Sequence, residues 1–293
     1  MSIDTKKLGA VALLLAGLAL VYWRVFQKLI YDWGHDDNYS HGFLIIPIAL
    51  YFVWERREHL ASLELRPSWF GMVVFAGGIL VLLAGLLGAE LFLSRVSLIG
   101  VLAGAVLFLC GWKHLRAVMF PLTFLLLMIP LPAIIFNQIA FPLQLLASRA
   151  GEFAISAAEI PVLREGNVLV LANATLEVAE ACSGIRSLQA LLALGTVYAY
   201  FTQETGLGRW TLVLLSVPIA IAANVIRVSG TGILAEHYGA EAAQGFYHIF
   251  EGWIVFVVAF IFLLGAGSVL SRILSRRAVT GAHGAPDGHS SPR

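Results

Sequence analysis

Stretches of about twenty apolar residues recur along this chain, and no other property restricts its fold as much. A helix of that length matches the roughly 30 Å hydrocarbon layer of a bilayer. In lipid every backbone N–H and C=O must be satisfied internally, so helices or closed barrels are the only spanning structures. The runs fall at residues 8–27, 41–55, 70–90, 95–112, 115–135, 184–202, 210–235 and 248–271, eight in all. Charged residues make up only 13% of the 293 and hydrophobic ones 59%, against about a quarter charged in soluble domains. The expected fold is an all-α integral membrane protein of about eight transmembrane helices. Residues 1–277 would form one polytopic domain. Residues 278–293, rich in Gly, Pro, Ser and His, read as a disordered cytoplasmic tail. No cleavable signal peptide is expected, since no small-residue cleavage pattern follows the first run.

The short loops orient the chain. With the N-terminus inside, Lys6, Lys7, Arg56, Arg57, Arg66, Lys113, Arg116, Arg209, Arg272, Arg276 and Arg277 are cytoplasmic, and fewer basic residues face outward. Both termini are then cytoplasmic, and 28–40, 136–183 and 236–247 lie outside. Residues 137–157, with Arg149 and Glu152, read as a helix in the interface or re-entering the membrane. Two short β-prone runs, 167–171 and 175–178, read as a small extracytoplasmic hairpin just before the sixth span.

Three stretches carry polar groups where the bilayer makes them costly. The first is Glu177-Val-Ala-Glu-Ala-Cys182-Ser183-Gly-Ile-Arg186, at the start of the sixth span. A thiol there meets the unsatisfied N–H groups and positive dipole of a helix start, which favour a thiolate. The second is Asn224-Val-Ile-Arg227, whose polar pair shares one helix face at i, i+3. Arg227 is 17 residues past Trp210, roughly 25 Å along a helix, on the same side as Cys182. The third is Phe246-Tyr-His248-Ile-Phe-Glu251, where Glu251 is spaced to orient the imidazole. Taken singly, a cysteine in a membrane protein is usually packing, an intramembrane arginine often pairs only with a carboxylate or carbonyls, and a helix-end histidine is usually interfacial. Their coincidence on one face points to a shared site. Cys110 has no polar neighbour in its run and reads as packing.

These three stretches resemble the signature regions of the exosortases, in the exosortase/archaeosortase family of membrane proteins. The segment from Trp33 through Asp37-Asn-Tyr-Ser-His41-Gly-Phe also resembles that family's N-terminal signature, so the likeness spans roughly residues 30–270. Archaeal relatives place arginine where this chain has His248, which aligns it with the bacterial branch. The resemblance implies a cysteine peptidase or transpeptidase of the bacterial cytoplasmic (inner) membrane with its active site on the outer face. It would cleave C-terminal sorting signals of the PEP-CTERM type on exported proteins. Cys182 is implied as nucleophile, Arg227 as essential arginine and His248 as essential histidine. The acceptor is open, and so is whether Arg227 serves the thiolate or the oxyanion.

Arg186 is expected to bind substrate or the hairpin, with pairing to Glu180 as an equal alternative. Asn224 would position Arg227 or satisfy a backbone group. Ser183 and Glu251 are supporting candidates, and His41, with Asp36, Asp37, Tyr39 and Ser40, would shape a substrate entrance. His237 is the rival to His248. No metal, cofactor or nucleic-acid partner is expected; the partners are the exported substrate, the acceptor and the lipid bilayer. Competing readings are hydrolysis with water as acceptor and a non-enzymatic transporter or exopolysaccharide-assembly subunit. A rhomboid-like serine protease using Ser183 is disfavoured, because a Gly-x-Ser-Gly context is absent.

Overall fold

The structure, a computed structural model, describes residues 5–178, 184–239 and 254–282. It is predominantly helical, and the chain divides into two compact units, Met1–Phe136 and Asn137–Arg293.

In the first unit the helices are α1 (Thr5–Val21), α2 (Trp23–His35), α3 (Gly42–Glu55), α4 (Arg57–Ser62), α5 (Phe70–Leu87), α6 (Leu91–Leu109) and α7 (Trp112–Phe124). A 3-10 turn at Leu125–Met128 leads to α8 (Ala133–Ala157), which runs on into the second unit. The first apolar run is not one unbroken helix. It divides at Tyr22, which is fully buried and hydrogen-bonds Ser97 Oγ on α6 at 2.9 Å. Beyond that break α2 is amphipathic, burying Val25, Leu29 and Trp33 at i, i+4, i+8, the spacing of one helical face. Asp32 of α2 pairs with the buried Arg95 of α6, and Lys28 reaches the same carboxylate at 3.0 Å.

Helices α5 and α6 pack as a tight hairpin along glycines seven residues apart. A Cβ at Gly78 would stand 2.7 Å from Val101 Cγ2, and one at Gly85 would strike the Ser94 backbone. In lipid, where apolar surface gives helices no reason to associate, close backbone approach through small residues is a main source of packing energy.

The second unit contains the remainder of α8, a sheet of β1 (Val162–Glu165), β2 (Val168–Leu171) and β3 (Thr175–Glu177), then α9 (Ile185–Thr202), α10 (Gly206–Tyr238) and α11 (Val255–Ala282). The sheet is antiparallel in order β1-β2-β3, with Val162 opposite Leu171 and Val168 opposite Glu177. The expected hairpin is therefore the β2–β3 half of a three-stranded sheet. Strand β1 lacks a clean apolar alternation, because its second half is Arg164-Glu165. One face of the sheet packs Leu169, Leu171 and Val178 against Ala147 and Ile155 of α8 and Val228 of α10. Helices α9, α10 and α11 share a second core around Leu191, Leu212, Ala220 and Leu263.

Among the described residues, α5, α6, α10 and α11 as far as Leu274 are long and apolar enough to cross a membrane. The proline-broken pair Trp112–Met128 and Ala133–Ala157, bent by 80°, adds a fifth if it is one broken span and none if it is a re-entrant loop. The chain is thus a multi-pass membrane protein. The other apolar runs form helices that are shorter or more polar. Helix α3 has 14 residues, and α9 begins with Arg186, Ser187 and Gln189 in its first turns. Helix α10 is longer than the expected 210–235, at 33 residues, about 50 Å at 1.5 Å per residue. Thr205 caps its start by accepting from Gly208 N at 3.1 Å.

Candidate active site

Helix α10 carries a buried polar stripe. Asn224, Arg227 and Thr231 are 3%, 4% and 7% exposed, and their i, i+3, i+7 spacing puts them on one face. Arg227 Nη2 donates to Asn224 Oδ1 at 2.6 Å. Bonds with one ionised partner are shorter and roughly twice as strong as neutral ones. An arginine this deeply buried is held in place by such bonds, since an uncompensated buried charge is strongly destabilising.

Asn224 also forms the wall for the chain that follows the cysteine. Gly184, the N-cap of α9, has φ +75° and ψ 0°, in the left-handed region. A Cβ there would lie 2.9 Å from both Cβ and Cγ of Asn224. Glycine is required on two counts: a side chain would strain the backbone, and the space is already filled. The glycine of Cys182-Ser-Gly thus brings α9 against the asparagine that holds Arg227.

The upstream end of the same segment is fixed by the sheet. Val178, buried at 2% exposure, donates its N–H to Asn167 O at 2.8 Å and accepts from Asn167 Nδ2 at 3.2 Å. The sheet is anchored in turn to both flanking helices. Ser148 Oγ of α8 donates to Gly166 O at 3.0 Å, and Arg164 bridges that carbonyl and Glu152 at 2.9 and 2.8 Å. At the β2–β3 turn, Asn173 donates to the Glu236 side chain from its backbone N at 3.2 Å and from Nδ2 at 3.1 Å, and also from Nδ2 to the Glu236 carbonyl at 3.2 Å.

Of the residues expected to carry chemistry, Asn224 and Arg227 are brought together and Gly184 is packed beside them. Cys182 and Ser183 lie in 179–183, and His248 and Glu251 in 240–253, outside the described residues; Glu180 does as well. Arg186 lies in the first turn of α9, half-buried. His237 is exposed at the end of α10, ten residues and about 15 Å along the axis from Arg227.

His41 belongs to the first unit and has a definite partner there. Its Nε2 donates to Leu127 O at 3.1 Å. Trp33 Nε1 donates to Met128 O at 2.8 Å, and Tyr39 Oη accepts from Leu131 N at 3.1 Å. These three side chains satisfy backbone groups released where the helix breaks at Pro130 and Pro132. Non-helical backbone at membrane depth is tolerated only when such partners are supplied. Two further polar atoms, Gln189 Oε1 and Thr231 Oγ1, are buried with no hydrogen-bond partner among the described residues. A glutamine or threonine in an apolar helix carries no periodic signal that marks it in the sequence. In the sequence Asn167 reads only as the first residue of a β-prone run.

No curated protein and no solved structure matches the chain. The family model for transmembrane exosortases matches residues 33–265, a range that takes in the Trp33–His41 segment, the sheet, Gly184 and the Asn224–Arg227 pair. The chain belongs to the transmembrane exosortase family.

Proposed function

We propose that this exosortase is a cysteine transpeptidase that cleaves PEP-CTERM-type C-terminal sorting signals at the outer face of the bacterial inner membrane. Cys182 is the nucleophile, Arg227 the electrostatic partner and His248 the proton carrier. The observation that carries the reading is the contact of Gly184 with Asn224, whose side chain holds the buried Arg227. Cys182 precedes Gly184 by two residues, at most about 7 Å of chain.

In this mechanism the Cys182 thiolate attacks the scissile carbonyl carbon, forming a C–S bond and a tetrahedral oxyanion. The oxyanion collapses as the C–N bond breaks, and His248 donates a proton to the departing amine. His248 then takes a proton from the acceptor, which attacks the thioester; the C–S bond breaks and the thiolate returns. Arg227 supplies positive charge to the thiolate and the developing oxyanion, where water exclusion strengthens the interaction. Arg186, Ser183 and Glu251 are supporting residues of this site. The eight apolar runs give the topology, with both termini cytoplasmic by the excess of Lys and Arg on that side.

The test is co-expression with a sorting-signal substrate, followed by gel analysis of processing. Wild type should yield the shortened product, and Cys182→Ala and His248→Ala none. Unchanged processing by Cys182→Ala removes the nucleophile assignment. The mass of the product's new C-terminus separates transfer, which leaves an added acceptor, from hydrolysis, which leaves a free carboxylate.

A further inference from the structure

Asn167 occupies an unusual place in the sheet. It is the second residue of the two-residue turn joining β1 and β2, in which Glu165 faces Val168 and Gly166 takes the positive φ of +65°. Glycine at the first central position with a positive φ is the pattern of a type II′ hairpin turn, which places no demand on the side chain of the second residue. Yet that side chain is used. The ladder between β2 and β3 ends at Val168 opposite Glu177, and Asn167 extends it by one residue, holding Val178 by both its N–H and its C=O.

Val178 is the last described residue before 179–183, and it precedes Cys182 by four positions. The far end of that segment is held by Gly184 packed on Asn224. The described chain on either side of 179–183 is thus held at two points, Val178 by Asn167 and Gly184 by Asn224. Fixing both ends of a short segment removes conformational freedom before substrate arrives, which is how a nucleophile gains effective concentration. The turn itself is held to α8 through Ser148, Arg164 and Glu152 on the Gly166 side, so the clamp has a rigid base.

We propose that Asn167 is a positioning residue for the catalytic cysteine, acting by clamping the chain at Val178, four residues before Cys182. This rests on the reading of Cys182 as nucleophile. Asn167 touches no reacting atom; it acts through the backbone of Val178.

The experiment compares full-length wild type, Asn167→Asp, Asn167→Ala and Cys182→Ala in lipid nanodiscs, with a sorting-signal peptide as substrate. Asn167→Asp keeps the size and the backbone acceptor but replaces the amide donor with an oxygen that opposes the Val178 carbonyl. The expected result is at least a tenfold loss of kcat in both Asn167 variants, with KM within twofold of wild type, in protein that folds with a lowered melting temperature. In a Cys110→Ser background, the pH profile of Cys182 alkylation by iodoacetamide should also differ from that of the parent. Wild-type kcat in Asn167→Asp overturns the proposal, as does a loss confined to KM. Failure of both variants to yield folded protein also overturns it, because Asn167 would then hold the fold and not the segment. If Cys182→Ala processes substrate normally, the underlying reading fails whatever Asn167 does. If Cys182→Ala is inert while Asn167→Asp is normal, the positioning role alone falls.

Discussion

Arg227 donates to Asn224 across 2.6 Å within one turn of α10, and the same asparagine side chain occupies the space in front of Gly184. One residue therefore links the buried guanidinium to the segment that carries the cysteine.

Replacing Asn224 with alanine should leave α10 intact, since alanine is the best helix former, while removing the charge-assisted bond to Arg227. Hydrogen bonds to charged groups contribute about 1.5–3 kcal/mol. If the bond is needed in the transition state, processing should slow about ten- to a hundredfold. Quantitative gel assays over time, at matched protein levels, check this. Asn224→Asp should also slow processing, because a carboxylate at that distance neutralises the charge Arg227 supplies.

Gly184→Ala should be more damaging than its size suggests. The left-handed backbone adds about 1–2 kcal/mol for a residue with a Cβ, and the methyl group collides with Asn224. Adding Asn224→Gly relieves the collision but not the loss of the Arg227 bond. Thermal stability should therefore recover in part in the double variant, while processing stays low. Full recovery of processing would show that Asn224 is only a wall.

The pair of Asp32 and the buried Arg95 ties α2 to α6. Removing one partner of a buried ion pair typically costs about 3–5 kcal/mol, whereas replacing both with apolar residues is often neutral. Asp32→Leu should lower the melting temperature in detergent sharply, and Asp32→Leu with Arg95→Met should restore most of it. The two melting curves, read beside that of wild type, decide the matter.

His41 is bonded to the backbone of the broken helix at Leu127, as Trp33 and Tyr39 are at Met128 and Leu131. His41→Ala, Trp33→Phe and Tyr39→Phe each strip a partner from the backbone at Leu127, Met128 or Leu131, at a cost of about 1–3 kcal/mol each. All three should lower stability and leave KM unchanged. A raised KM with unaltered stability in His41→Ala would return that histidine to substrate binding.

Much of the helical framework was legible in the sequence, because lipid imposes a length and composition that local residues alone satisfy. The runs at 70–90, 95–112 and 210–235 became α5, α6 and α10, and the Asn224–Arg227 pair was readable from i, i+3 spacing. Where the reading strayed, a distant residue intervened. Tyr22 breaks the first run because Ser97 is there to receive its hydroxyl. Strand β1 forms in spite of Arg164-Glu165 because β2 pairs with it and Glu152 takes the arginine.

The amino-acid sequence by itself determined that the chain is helical, lies in a membrane and resembles the exosortases, since these rest on hydropathy and on residues close in sequence. Only the tertiary structure decided that Gly184 meets Asn224, that Asn167 grips Val178 and that Trp33, Tyr39 and His41 serve a broken helix. The pairs Gly184 with Asn224 and Trp33 with Met128 are 40 and 95 residues apart. Contacts over such separations depend on which helix faces pack together, and no local pattern of residues encodes that.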